Sequence, residues 1–96
     1  MRIMLFSSQP YDRDSFAAAS LPPGCSLVHQ HSHLGRDTAA LANNCAVVCA
    51  FINDDLSAPV LQQLAAGGTR LIALRSAGYN HVDLKAAELL GLGVVR

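Results

Sequence analysis

A chain of 96 residues has room for one domain built around one modest core. Hydrophobic residues make up 51% and charged residues 15%, a balance that excludes an intrinsically disordered segment. Seven Lys+Arg offset seven Asp+Glu to give zero formal charge with no basic cluster, which excludes the usual footprint of a nucleic-acid binder and favours self-association.

Met1-Arg2-Ile3-Met4-Leu5-Phe6 opens the chain with an apolar run read as a first strand over 2–6, closed by the turn-like Ser7-Ser8-Gln9-Pro10. No second apolar stretch follows it, and no run approaches the roughly 18 residues of a membrane span. Neither a signal sequence nor membrane insertion is therefore expected. A helix is predicted over 11–20, with Asp12 near its start and Phe16, Ala17 and Ala19 as its apolar stripe. Leu21-Pro22-Pro23-Gly24 ends it, because proline cannot continue a helix. Residues 25–29 form a weaker second strand, expected at a sheet edge. A short helix follows over 34–43 and stops at Asn43-Asn44.

Cys45-Ala46-Val47-Val48-Cys49-Ala50-Phe51-Ile52 is the clearest strand, continuously apolar as a strand covered on both faces should be. Asn53-Asp54-Asp55 leads out of it. Ser57 is the expected N-cap of the next helix, with Pro59 in its first turn and Val60, Leu61 and Leu64 facing inward. Gly67-Gly68 stops that helix, the usual place for positive φ. Residues 71–74 are the fourth strand. The last helix runs from about 83 to 90, with Leu84, Ala87 and Leu90 inward and Gly91 at its end, before Gly93-Val94-Val95-Arg96 begins a fifth strand.

Strands alternating with helices predict an α/β fold with a parallel sheet and right-handed crossovers. The short connections fit a flavodoxin-like, doubly wound five-stranded sheet of order 2-1-3-4-5. Handedness then puts the first helix on one face and the other three on the opposite face. A complete fold of this type has a fifth helix beside the first, and none is read here. The face over the third to fifth strands is expected to lie open, an apolar patch suited to homodimerisation or to docking of a further segment.

The loop that draws the most attention is Arg75-Ser76-Ala77-Gly78-Tyr79-Asn80-His81-Val82-Asp83, between the fourth strand and the last helix. A glycine-containing loop at the carboxyl end of a strand offers consecutive backbone amides to a small anion. The plainer reading is a turn that Gly78 satisfies, followed by Asp83 starting a helix. His29, His31 and His33 alternate and would share one face of an extended strand, a pattern that could suit a metal. No carboxylate lies nearby in sequence, so they are read as solvated edge histidines and no metal site is assigned. Cys45 and Cys49 would lie about 13 Å apart along a strand, too far to chelate one ion, and are read as core. With Cys25 they make an odd count of reduced thiols, which suits a cytoplasmic protein. His81 and Asp83 are two apart at a helix start and are read as structural. Asn53, Asp54 and Asp55 fall where the strand order reverses, a favoured ligand position. Asn53 is open between ligand contact and structure, and Asp55 is read as a cap.

Leu74-Arg75-Ser76-Ala77-Gly78-Tyr79-Asn80-His81-Val82-Asp83 resembles the matching loop of the D-isomer-specific 2-hydroxyacid dehydrogenases, in particular the D-lactate dehydrogenase branch. Phe6-Ser7-Ser8-Gln9-Pro10-Tyr11-Asp12, Phe51-Ile52-Asn53-Asp54-Asp55-Leu56-Ser57 and Leu64-Ala65-Ala66-Gly67-Gly68-Thr69-Arg70-Leu71-Ile72-Ala73-Leu74-Arg75 resemble the same branch. The resemblance implies that residues 1–96 are the N-terminal part of a flavodoxin-like catalytic, substrate-binding domain. It further implies that Ala77 and Gly78 bind a small 2-oxo or 2-hydroxy acid through their amides, with Ser76, Tyr79 and Asn80 beside them. The family's NAD-binding Rossmann domain and its catalytic Arg, Glu and His would lie beyond residue 96, so no catalytic residue and no cofactor site are assigned here. Gly91-Leu92-Gly93-Val94-Val95-Arg96 imitates a dinucleotide motif but lacks the third glycine and lies between a helix and a strand, the reverse of the required order. Alone, the chain is expected to be inactive; a stand-alone homodimeric module with a binding or structural role is the alternative.

Overall fold

The apolar runs become the strands of one parallel sheet: β1 (Arg2–Leu5), β2 (Ser26–His29), β3 (Val47–Ala50), β4 (Leu71–Leu74) and β5 (Gly93–Val95). Their order is β2-β1-β3-β4-β5, as the flavodoxin-like reading expects, with β2 at an edge. This computed structural model describes residues 2–7, 24–51, 54–74 and 82–95. The helix expected over 11–20 lies outside the described residues.

Register decides which face each side chain joins. Met4, Val48, Ile72 and Val94 are aligned across β1, β3, β4 and β5, and so share one face. The first three are buried in the core with Phe6, Ala50 and Leu74. On the other face Ile3, Val47 and Leu71 are aligned, as are Leu5, Cys49, Ala73 and Val95. There Leu5 is buried, Ile3, Val47, Cys49, Leu71 and Ala73 are half-buried, and Val95 is 46% exposed.

Among the described residues, two α-helices and a 3₁₀ helix cover the buried face. In α1 (Ala58–Ala66), Val60, Leu61 and Leu64 are buried, the stripe expected from their spacing. Ser57 is its N-cap by position, but its side chain makes no cap hydrogen bond; Asp55 Oδ1 instead accepts the Ser57 N–H at 2.9 Å. Of the two glycines that end α1, Gly68 has φ +105°, whereas Gly67 sits at −82°. Gly67 is needed for space: a Cβ there would run into the Asn43 side chain.

In α2 (Leu84–Leu89), Ala87 is buried and Leu90 packs on the core just past the helix end, but Leu84 is 47% exposed. The apolar face is carried by Ala86, Ala87 and Leu90. At 100° per residue Leu84 lies about 120° around the axis from Leu90, which turns it to solvent. The helix expected over 34–43 is reduced to the 3₁₀ turn Ala39–Ala42. Thr38 explains the shortening: its hydroxyl accepts the Gly35 N–H at 2.8 Å and donates to the His33 carbonyl at 2.8 Å, local bonds that compete with a helix start. Cys45 is buried in the core ahead of β3, as expected, while Cys49 lies half-buried on the sheet face opposite Val48, so the reading of Cys49 as core is corrected.

Candidate functional site

In a parallel sheet all carboxyl ends lie along one rim, and here the segments leaving β1, β2 and β3 are tied together on it. Main-chain bonds begin the work: the Gln30 N–H donates to the Leu5 carbonyl (2.8 Å), Ser7 N–H to Ser32 (3.0 Å) and Asp55 N–H to Leu34 (2.9 Å).

Asp54 is the hub. Its side chain is fully buried, at the switch point between β1 and β3. Oδ1 accepts the Ser7 hydroxyl at 2.6 Å and the Leu34 N–H at 2.7 Å, and Oδ2 accepts the Phe51 N–H at 2.7 Å. Three donors aimed at one carboxylate make its burial affordable in free energy. The His33 Nδ1 lies 3.8 Å from Oδ1 and 2.6 Å from the Ser7 oxygen, with the imidazole 59% exposed.

Geometry defines this group. The Ser7 oxygen stands between the other two side chains, 2.6 Å from Asp54 Oδ1 and 2.6 Å from His33 Nδ1, while His33 Nδ1 and Asp54 Oδ1 are 3.8 Å apart. The set Ser7–His33–Asp54 differs from a hydrolytic triad, in which the aspartate holds the histidine rather than the serine. Ser7 is also only 3% exposed. Its backbone, at φ +55°, turns sharply out of β1, which brings the hydroxyl back under the rim.

The rim continues to β4. Leu56 and Val82, both buried, form an isolated parallel bridge, and the Asp83 N–H donates to the Leu56 carbonyl at 3.1 Å. Asp83 then caps α2 by accepting the Ala86 N–H at 3.0 Å, the structural use expected of it. Ser76, Ala77, Gly78, Tyr79 and Asn80 lie outside the described residues, as do Asn53 and His81. Their flanks are described: buried Leu74 at the end of β4 and Val82 on the bridge both sit on the carboxyl rim.

Of the alternating histidines, His31 and His33 are exposed beyond the edge strand, but His33 is not simply solvated: it belongs to the Ser7–Asp54 group. Among the described residues, no three or more His, Cys, Asp or Glu side chains are grouped to hold a metal ion. Gly91 lies between α2 and β5 and Gly93 opens β5, the helix-then-strand order expected from sequence and the wrong one for a dinucleotide cradle. Sequence reasoning marked Asp54 only as a neighbour of the switch point and missed its partners. The available signal was a serine just after β1 and an aspartate just after β3, on adjacent strands of the predicted order.

The comparisons with known proteins agree with this architecture. Residues 3–96 match the family described as D-isomer specific 2-hydroxyacid dehydrogenase, catalytic domain. The chain is 47% identical over 96 residues to 2-hydroxyacid dehydrogenase homolog 1 of Schizosaccharomyces pombe, covering all of this chain and 29% of that protein. It is 44% identical to the D-lactate dehydrogenase of Escherichia coli, again covering all of this chain and 29% of that one. The apo-structure of D-lactate dehydrogenase from Escherichia coli superimposes with a TM-score of 0.94 at 44% identity, over 100% of this chain and 31% of the other. A D-lactate dehydrogenase from Lactobacillus jensenii solved with NAD+ gives a TM-score of 0.83 at 28% identity, over 98% and 29%. The chain thus spans about 29% of the length of these curated relatives, and it belongs to the D-isomer-specific 2-hydroxyacid dehydrogenase family through their catalytic domain.

Proposed function

We propose that this chain contributes the substrate-carboxylate site of a D-lactate-dehydrogenase-like, NAD-dependent 2-hydroxyacid oxidoreductase. The backbone amides of Ala77 and Gly78 hold the carboxylate of a small 2-oxo or 2-hydroxy acid, with Ser76, Tyr79 and Asn80 around it. The observation that carries this reading is the family match across residues 3–96. The rim supports it: the flanks of the 75–81 segment, Leu74 and Val82, are on the carboxyl edge, where open α/β sheets bind small anions. Hydride transfer requires a bound nicotinamide and a proton donor, which the family resemblance assigns to residues outside these 96.

Two measurements on the 96-residue chain test the reading. Titration with oxamate, followed by amide NMR, is expected to give saturable shifts at Ala77 and Gly78; their absence would overturn carboxylate binding. Incubation of the pure chain with pyruvate and NADH is expected to give no loss of nicotinamide absorbance, and sustained turnover would overturn the assignment of the missing chemistry to the rest of the enzyme.

The partly exposed apolar face favours a second reading, a homodimeric module. Ile3, Val47 and Leu71 in one row, and Cys49, Ala73 and Val95 in the next, are aligned across neighbouring strands and none is fully covered. Contiguous apolar surface of this kind is the usual material of an interface.

A further inference from the structure

We infer that Asp54 is a positioning residue that sets the carboxyl-end rim as one unit and, through the Leu56–Val82 bridge, the exit of the 75–81 segment. Its relevance to substrate rests on the carboxylate-site reading above; the bonds that make up the link are those of the structure.

The link is continuous. The Asp54 carboxylate holds the Ser7 hydroxyl after β1, the Leu34 N–H after β2 and the Phe51 N–H at the end of β3. Next along the chain, the Asp55 N–H returns to the Leu34 carbonyl at 2.9 Å and the Asp55 carboxylate takes the Ser57 N–H at 2.9 Å. Leu56, held between these two fixed residues, pairs with Val82 and accepts the Asp83 N–H at 3.1 Å. Every step is a hydrogen bond or a peptide linkage; Ser7, Leu34, Asp54, Leu56 and Val82 are buried, while Asp55 and Asp83 are exposed. A shift of the Asp54 carboxylate is passed to Val82 through this run of bonds. His33 closes the outer side of the hub, its Nδ1 2.6 Å from the serine oxygen on the solvent side.

Chemistry selects the variants. In Asp54→Asn the amide oxygen can still accept from Ser7 and Leu34, but the NH2 then faces the Phe51 N–H, donor against donor. Ser7→Ala removes one bond and leaves both main-chain bonds of Asp54 in place, so it serves if Asp54→Asn does not fold. Amide hydrogen exchange is read at Asp83, bonded to Leu56, and at Gly93, bonded to the Arg70 carbonyl at 2.9 Å away from the rim.

In Asp54→Asn, exchange at Asp83 is expected to quicken on the order of tenfold while Gly93 and the α1 amides hold their wild-type rates. Ser7→Ala should move Asp83 in the same direction by less. The oxamate affinity should weaken in step, with the Ala77 and Gly78 shifts displaced in the free protein. A folded variant with wild-type exchange at Asp83 and wild-type shifts at Ala77 and Gly78 would overturn the proposal and leave Asp54 a local staple. Uniformly faster exchange at Asp83, Gly93 and α1 would overturn it too, since that is general destabilisation. Selective exchange at Asp83 in a protein that takes no oxamate would sustain the positioning role and sink the carboxylate reading.

Discussion

Thr69, buried to 2% exposure, shows how a single polar atom is kept in this core: its hydroxyl donates to the Cys45 carbonyl at 2.9 Å, tying the approach to β4 to the approach to β3. Thr69→Val keeps the shape and deletes the donor, leaving a buried carbonyl one partner short. The expected loss is about 1–3 kcal/mol in urea unfolding, with an unchanged m-value. Asp83 belongs to the same scale but is legible in the sequence, because a capping carboxylate and its N–H donor lie three positions apart. Asp54 is not: its partners Ser7 and Leu34 lie 47 and 20 positions away. Nothing local in Asn53-Asp54-Asp55 distinguishes a hub from a cap.

At the scale of the element, α1 and α2 differ in how firmly packing holds them. In α1 the buried Val60, Leu61 and Leu64 lie on a nine-residue helix, long enough for the apolar period to be read. Leu64→Ala should cost about 2–5 kcal/mol, measured by thermal or urea unfolding. Leu89→Ala, at a residue 80% exposed on α2, should stay within about 0.5 kcal/mol of wild type. Six residues make α2 too short for periodicity alone to orient it, and Leu84, inward by its spacing, is 47% exposed. The 3₁₀ turn Ala39–Ala42 failed as a predicted helix for a related reason: Thr38 supplies competing local bonds, and propensity is a weak prior against them.

For the whole molecule, register divides the sheet into one face packed under helices and one with partly exposed apolar rows. Under the homodimer reading, light scattering on a sizing column should give the mass of two chains across a range of concentrations, and Val95→Lys should return it to one. A wild-type monomer at every concentration would remove the reading. Among the described residues no helix is long and apolar enough to cross a membrane, consistent with the short apolar runs seen in the sequence.

Apolar runs, prolines, paired glycines and short connections were enough, by themselves, to determine five parallel strands and the inward stripe of α1, and they fit the 2-1-3-4-5 order that the sheet adopts. The strands and the stripe follow from backbone sterics and period, and the short connections between successive elements are those of a doubly wound sheet. The motif likeness around Ser76-Ala77-Gly78 also pointed to the family. Tertiary structure alone decided that Asp54 gathers donors from three segments, that Gly67 is small because Asn43 lies against it, and that Cys49 leaves the core face. Each of these depends on atoms far apart in sequence meeting at hydrogen-bond or van der Waals distance, which only the packed sheet brings about.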